Sequence, residues 1–275
     1  MVETAERGAG AAPDGAAVLL RFLLPEQGPA LRRRDQAVLD AAEPLTVASE
    51  GLDLVGYSWG AGPVVALAHG WSSRAGHLAG FVEPLVGAGR RVVSVDMPGH
   101  GASPGRLSNL YRFSRALQVL AGQSGGFDAV VAHSGGVLAT VMALGEGLAA
   151  RRVVGLAPMV RLRTAAERFG PGLGAGAEAS AGFLGGMVAE FGAEVWDRTA
   201  ADLVAPRLTV PALLLHDPDD DETPYGESVE LAQLWPGARL LPTPGVGHRR
   251  ILRAPSTIAA TLAFLEGDRD GRWRS

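Results

Sequence analysis

Residues 129–136 read AVVAHSGG, an apolar run that ends in a histidine, a serine and two glycines. The run Ala129–Ala132 is typical of a strand covered on both faces of a sheet, and the residues after it have helical spacing. A sharp turn between such a strand and helix holds a serine above the sheet edge, and it needs small residues two positions before and after the serine. Ala132 and Gly136 satisfy this condition. Ser134 is therefore a candidate nucleophile, and the alternative is a serine that only caps the helix.

Short apolar runs alternate with helical patterns on both sides of this stretch. Strands are predicted over Leu45–Ala48, Leu52–Ser58, Val64–Ala68, Val92–Val95, Ala129–Ala132, Val153–Ala157, Val210–His216 and Arg239–Leu241. Helices are predicted over Gly76–Val86, Leu107–Ala121, Gly136–Leu148, Tyr225–Leu234 and Pro255–Leu265. The Glu50-Gly51 pair between the first two strands is a hairpin signal. The later alternation predicts right-handed crossovers, and therefore an α/β fold with a mostly parallel sheet between helices.

The same pattern suggests a division of the chain. Residues 1–44 are predicted to be an N-terminal tail followed by a short helix within 29–42, and residues 269–275 a C-terminal tail. The sheet pattern occupies residues 45–159 and 206–268. Residues 160–205 interrupt it with a Gly- and Ala-rich stretch that carries scattered aromatic side chains. We expect this stretch to form a small helical insertion over the sheet.

The composition excludes several classes of function. The net charge is −4 with no basic stripe, so nucleic acid is not an expected partner. The chain contains no Lys and no Cys, which excludes Schiff-base chemistry, a thiol nucleophile and a Cys-ligated zinc site. We expect no metal and no cofactor. No apolar run approaches the length of a membrane span, so the expected location is the cytoplasm.

Three further signals lie at the ends of predicted strands. His69-Gly70-Trp71 follows the third strand, where a backbone amide, here that of Trp71, can join the amide of Gly135 in an oxyanion hole. The sequence HDPDDDETP, residues 216–224, follows the seventh strand and offers four aspartates that could orient a histidine. His248 ends a Gly-rich loop after the eighth strand, as a catalytic base would. Each signal has a purely structural alternative, but their order along the chain is that of a Ser-Asp-His triad.

These stretches resemble the α/β-hydrolase superfamily over roughly residues 45–268. The matching segments are the HGW at 69–71, VVSVDMPGHGAS at 92–103, VVAHSGG at 130–136, the acidic loop, and PGVGHRRIL at 244–252. The family pattern H-G-x-x-D-x-x-V-P places its acid on Asp220 and its proline on Pro224. Asp217 stands where the family has Gly, so Asp217 or Asp219 remains an alternative acid.

The resemblance implies an α/β-hydrolase fold with a helical cap after the sixth strand. It implies Ser134 as nucleophile, His248 as base and Asp220 as the acid, with an apolar pocket lined by Trp71, Phe183 and Met187. The expected activity is hydrolysis of carboxylic esters with small or medium apolar acyl groups. The expected partner is a small-molecule acyl substrate, and the oligomeric state stays open. Thioesterase, acyltransferase, aminopeptidase and C–C hydrolase activities use the same triad and stay open. A non-catalytic ligand-binding protein of the same fold is the alternative from another class.

Overall fold

The computed structural model describes residues 13–26 and 28–267. Within these residues eight strands form one sheet in the order β1-β2-β4-β3-β5-β6-β7-β8. The strands are β1 (Glu43–Ser49), β2 (Leu52–Trp59), β3 (Val64–Ala68), β4 (Arg91–Val95), β5 (Ala129–His133), β6 (Val153–Leu156), β7 (Ala212–His216) and β8 (Ala238–Pro242). The predicted strands are all present, with bounds shifted by a few residues.

The sheet is mixed at one edge and parallel elsewhere. β1 and β2 form an antiparallel hairpin, β2 is antiparallel to β4, and every pairing from β4 to β8 is parallel. The hairpin turn falls on Glu50 and Gly51, both of which have positive φ (49° and 75°), as the tightest hairpin turns require. The prediction of an α/β fold with a mostly parallel sheet is confirmed.

Helices cover both faces of the sheet. They are α1 (Gly15–Leu23), α2 (Arg33–Asp40), α3 (Val82–Gly87), α4 (Leu110–Ser124), α5 (Gly135–Gly145), α6 (Leu162–Gly172), α7 (Ala177–Phe191), α8 (Val195–Arg198), α9 (Ala201–Val204), α10 (Tyr225–Leu234) and α11 (Pro255–Glu266). The first half of the helix predicted over Gly76–Val86 is instead a 3₁₀ segment, Ala75–Phe81, which continues into α3.

Each central strand contributes to two hydrophobic cores, one on each face. In β5, Val130 and Ala132 pack with α4 and α5, whereas Ala129 and Val131 pack with the core under α3 and α11. All four side chains are fully buried. Burial on both faces explains why this strand is apolar throughout instead of alternating.

Two helical segments are not part of the regular alternation of strands and helices, although they contribute side chains to the same core. α6 to α9 follow β6, where the helical insertion was predicted. The treatment of residues 160–205 as a cap separate from the core stays a prediction. α1 packs against α7 of the insertion, a contact that the sequence did not indicate. Residues 1–12 and 269–275 of the predicted tails lie outside the described residues. Within the described ranges, no helix has the length and apolar character needed to cross a bilayer.

Candidate active site

Ser134 lies in the sharp turn between β5 and α5, where its backbone is strained. Its φ is 50° and its ψ is −122°, a region that residues with a Cβ rarely adopt. The turn is held by close backbone contacts from the loop after β3. A Cβ on Gly136 would lie 2.6 Å from the His69 carbonyl oxygen, and one on Gly70 would lie 3.0 Å from Ser134 Cβ. The turn therefore requires glycine at positions 70 and 136, because a side chain at either position would collide with neighbouring atoms.

Gly136→Ala is expected to destabilise the chain, because its new methyl group would meet two backbone carbonyls that cannot rotate away. Overpacking of this kind typically costs about 1–3 kcal/mol. The matched control is Gly122→Ala in α4, where a Cβ meets nothing within 4 Å. That exposed helical site should gain roughly 0.5–1 kcal/mol. Urea unfolding of both variants checks the pair, and a Gly136→Ala chain as stable as the parent would contradict the packing described here.

The amides of Trp71 and Gly135 lie next to each other beside Ser134. A Cβ on Gly135 would be 3.6 Å from Trp71 N. Neither amide donates a hydrogen bond to another residue in the described parts of the chain. Two free N–H groups beside a serine can stabilise an oxyanion, and loss of one such donor typically lowers the rate by about 10²–10³.

His248 is bound to Asp220 at the end of the sheet. His248 Nδ1 donates to Asp220 Oδ2 at 2.8 Å, and the Asp220 side chain is fully buried. Asp220 Oδ1 accepts from the amides of Glu222 and Thr223. Asp217, in contrast, accepts from the amides of Gly245 and Gly247, so it holds the loop that carries His248. The side chain of Asp219 has no hydrogen-bond partner among the described residues and is exposed.

A second histidine, His216, contacts the same carboxylate oxygen as His248. His216 Nε2 donates to Asp220 Oδ2 at 3.2 Å, and its Nδ1 hydrogen bonds with Ser228 Oγ at 2.7 Å. Burial alone would raise the pKa of Asp220, but the hydrogen bonds from His216, His248 and the Thr223 amide hold that pKa well below its usual range. Asp220 therefore stays an acceptor that fixes the proton of His248 on Nδ1. Nothing in the local sequence distinguished His216 or Ser228 from ordinary core residues.

His133 links the serine turn to the loop that carries His248. Its Nε2 donates to the His248 carbonyl oxygen at 2.9 Å, and the two rings lie 4.8 Å apart. Burial is the main cause that lowers the pKa of His133 to about 3, so its ring stays uncharged. In the structure, the neighbour of Ser134 holds the backbone of His248 in place.

Ser134 and His248 line one cavity of about 400 Å³. Among the described residues these two side chains share no hydrogen bond, and His248 Nε2 lies 3.8 Å from Glu222 Oε2. Charged side chains stand at the rim of this cavity in three pairs. The pairs are Arg21–Glu26, Arg249–Glu222 and Arg253–Asp35, although Asp35 itself does not line it.

A second cavity of about 170 Å³ adjoins the first and is almost entirely apolar. Trp71, Met159 and Phe169 line both cavities and form their common boundary. The remaining lining residues of the apolar cavity are Phe22, Leu23, Asn109, Leu110, Leu162, Ala165 and Met187.

The predicted pocket residues occupy different places around these cavities. Trp71 and Met187 line the apolar cavity, and their role in substrate binding stays a prediction. Phe183 lines neither cavity. It is fully buried behind the wall, with its ring 5.1 Å from Phe22 and 6.3 Å from Phe169. Phe169 and Phe22 occupy the place that was expected for Phe183. In residues 13–26 and 28–267, no group of three or more acidic or histidine side chains is arranged to hold a metal ion.

Comparison with known proteins identifies the family. The profile of the Alpha/beta hydrolase family matches residues 64–261. A non-heme haloperoxidase from Rhodococcus erythropolis is 27% identical, and the alignment covers 81% of this chain and 99% of that protein. An esterase from Pyrococcus furiosus has a similar structure, with a TM-score of 0.67, 17% identity and coverage of 89% of this chain and 98% of that one. Est1E from Butyrivibrio proteoclasticus, solved with ferulic acid bound, gives a TM-score of 0.61, 16% identity and coverage of 82% and 97%. The chain therefore belongs to the alpha/beta hydrolase family.

Proposed function

We propose that this protein is a serine hydrolase that cleaves carboxylic esters of small or medium apolar acids through Ser134, His248 and Asp220. The observation that carries the proposal is the strained Ser134 turn, which shares a cavity with a histidine hydrogen bonded to a buried carboxylate. A nucleophile, a base and an orienting acid are the three groups that acyl transfer requires.

In the proposed mechanism, Ser134 Oγ attacks the ester carbonyl carbon while its proton passes to His248 Nε2. The carbonyl oxygen becomes an oxyanion and accepts hydrogen bonds from the amides of Trp71 and Gly135. As the intermediate collapses, the carbon–oxygen bond to the alcohol breaks and His248 returns the proton to the leaving alkoxide. Water, deprotonated by His248, then attacks the acyl carbon, the bond between that carbon and Ser134 Oγ breaks to release the carboxylic acid, and His248 returns the proton to Ser134 Oγ.

Asp220 supports both steps by accepting from Nδ1, which keeps Nε2 free to receive a proton. The two side chains need not be hydrogen bonded before substrate binds, because catalytic hydrogen bonds in free enzymes often close only in the complex with substrate. Rotation of the Ser134 side chain about its Cα–Cβ bond reorients Oγ toward or away from His248 without any backbone movement.

The two cavities suggest where the halves of an ester would lie. The apolar cavity suits an acyl group, because it offers no partner for a charged or strongly polar substituent other than Asn109. An apolar cavity of about 150 Å³ in another protein binds benzene, so about 170 Å³ fits an acyl group of roughly six carbon atoms. The larger cavity, with its charged rim, suits the alcohol.

The proposal is tested with p-nitrophenyl esters from acetyl to dodecanoyl, together with a thioester and an anilide of the same acyl group. We expect the highest kcat/KM near butanoyl to hexanoyl and slower turnover of the anilide. A fluorophosphonate probe should label Ser134, as mass spectrometry of the labelled peptide would show. Faster turnover of the thioester would reassign the substrate class. A chain that is neither labelled nor active on any substrate would favour the non-catalytic alternative.

A further inference from the structure

The N-terminal helix α1 and the residues after it form part of both cavity walls. Phe22 and Leu23 line the apolar cavity, and Arg21, Leu24 and Glu26 line the cavity that contains Ser134. All of these residues precede position 64, where the match to the family profile begins. This wall therefore comes from a segment outside the matched part of the chain.

The position of α1 is fixed by close contacts with α7. The Asp14 side chain caps the helix by accepting from the Ala17 amide at 2.8 Å, and Val18 is fully buried. A Cβ on Gly15 would lie 2.7 Å from the carbonyl carbon of Gly182, so the two helix backbones are nearly in contact. Such close packing leaves little freedom for α1 to shift relative to the insertion.

The chain that leaves α1 is also anchored to the core. The Leu23 carbonyl accepts from the Ser108 amide at 2.9 Å, and the Glu26 amide donates to Ser72 Oγ at 3.1 Å. Ser72 follows Trp71, whose amide is a proposed oxyanion donor. The wall is thus tied to the loop beside Ser134 as well as to the insertion.

Phe22 is the largest side chain that α1 places in the apolar cavity. Its ring lies 5.0 Å from the Phe169 ring in an edge-to-face arrangement, and 5.1 Å from the Phe183 ring behind it. Aromatic pairs of this geometry stabilise one ring orientation. Phe22 therefore presents a fixed surface that a growing acyl chain would meet.

We propose that α1 is a specificity-determining element, in which Phe22 forms part of the wall of the acyl pocket and limits the length of the acyl group. The inference rests on the proposed esterase function and names the residue that selects its substrate. Selection of this kind has a large effect, since one methylene in a hydrophobic pocket changes the specificity by about 10- to 200-fold.

The test compares Phe22→Ala with Leu20→Ala, which removes an apolar side chain from the same helix where it is 56% exposed. Phe22→Ala should raise the ratio of kcat/KM for decanoyl over butanoyl esters by about 10-fold or more. Leu20→Ala should keep the parent ratio. Phe22→Trp, which fills the cavity further, should lower the ratio and provides a second readout if the alanine variant unfolds.

The outcomes separate this inference from the function on which it rests. Fluorophosphonate labelling is measured on the parent and on each variant before the ester series. If the parent is labelled and active but both Phe22 variants keep its acyl-length profile, the inference is wrong and the proposed function stands. If the parent is neither labelled nor active, the proposed function itself is wrong, and the inference is wrong as well because it rests on that function.

Discussion

Replacing Ser134 by alanine is expected to lower ester hydrolysis by about 10⁵-fold or more, while the chain stays folded. The loss is this large because the acyl-enzyme route needs the Oγ atom, and neither His248 nor the amides can replace it. Serine and alanine both carry a Cβ, so the strain of the turn is unchanged and the stability of the variant should remain close to that of the parent. Ester turnover and thermal unfolding are measured on the same preparations.

The control for this variant is Ser124→Ala, the same chemical change at the last residue of α4, which precedes β5, whereas Ser134 follows that strand. It should keep full activity and full labelling by the fluorophosphonate. Residual activity in Ser134→Ala at a tenth of the parent rate, after removal of contaminating esterases, would mean that another group attacks the ester.

Replacing Asp220 by asparagine is expected to lower kcat by about 10⁴-fold. An asparagine amide can donate to His248 Nδ1, which places the ring proton on Nε2, where it blocks acceptance of the serine proton. His216 would lose its acceptor too, since it donates to the same carboxylate oxygen. The measurement is kcat across the ester series near pH 8.

Asp219→Asn is the matched control, because that neighbouring side chain is exposed and has no hydrogen-bond partner in the described ranges. It should retain the parent rate. Asp217→Asn removes a loop contact and should change stability more than chemistry. If Asp220→Asn kept full activity while Asp217→Asn or Asp219→Asn lost it, the assignment of the acid would be wrong.

The same Asp220 variant gives a distinct signature in stability against pH. The folded chain holds the pKa of Asp220 below its value in the unfolded chain. The carboxylate therefore stabilises the fold above about pH 4, and this contribution is lost as the pH falls toward the folded pKa. The difference in unfolding free energy between parent and Asp220→Asn should thus be largest near neutral pH and should shrink in acid.

Local patterns were sufficient to predict the sheet and the helices that cover it. The strands from β3 to β7 are short apolar runs because both faces are buried, and such runs are visible without any knowledge of their neighbours. The same is true of α10, whose bounds were predicted correctly. The pattern around Gly76 was ambiguous, because 3₁₀ and α-helical turns place apolar residues at nearly the same spacing.

Features that depend on contacts between distant residues were not predicted. α1 is short and contains Arg21, and its position depends on the approach of Gly15 to Gly182. His216 approaches Asp220 only after β7 and the acidic loop have folded. Phe183 and Phe169 both belong to the insertion, and which of them would face the cavity could not be read from composition. The triad assignments and the substrate class stay predictions.

The turn at Ser134 also couples reactivity to the integrity of the whole sheet. The positive φ of Ser134 persists only while β3 and β5 are paired, because the carbonyl oxygens of Ala68 and His69, at the end of β3, lie close to Gly136. A chain whose central strands separate would let this backbone relax, and the hydroxyl would lose its exposed position. Under increasing urea, the rate of ester cleavage should therefore decline along the same curve as the circular dichroism of the helices. The rate of ester cleavage would then measure the fraction of correctly refolded protein.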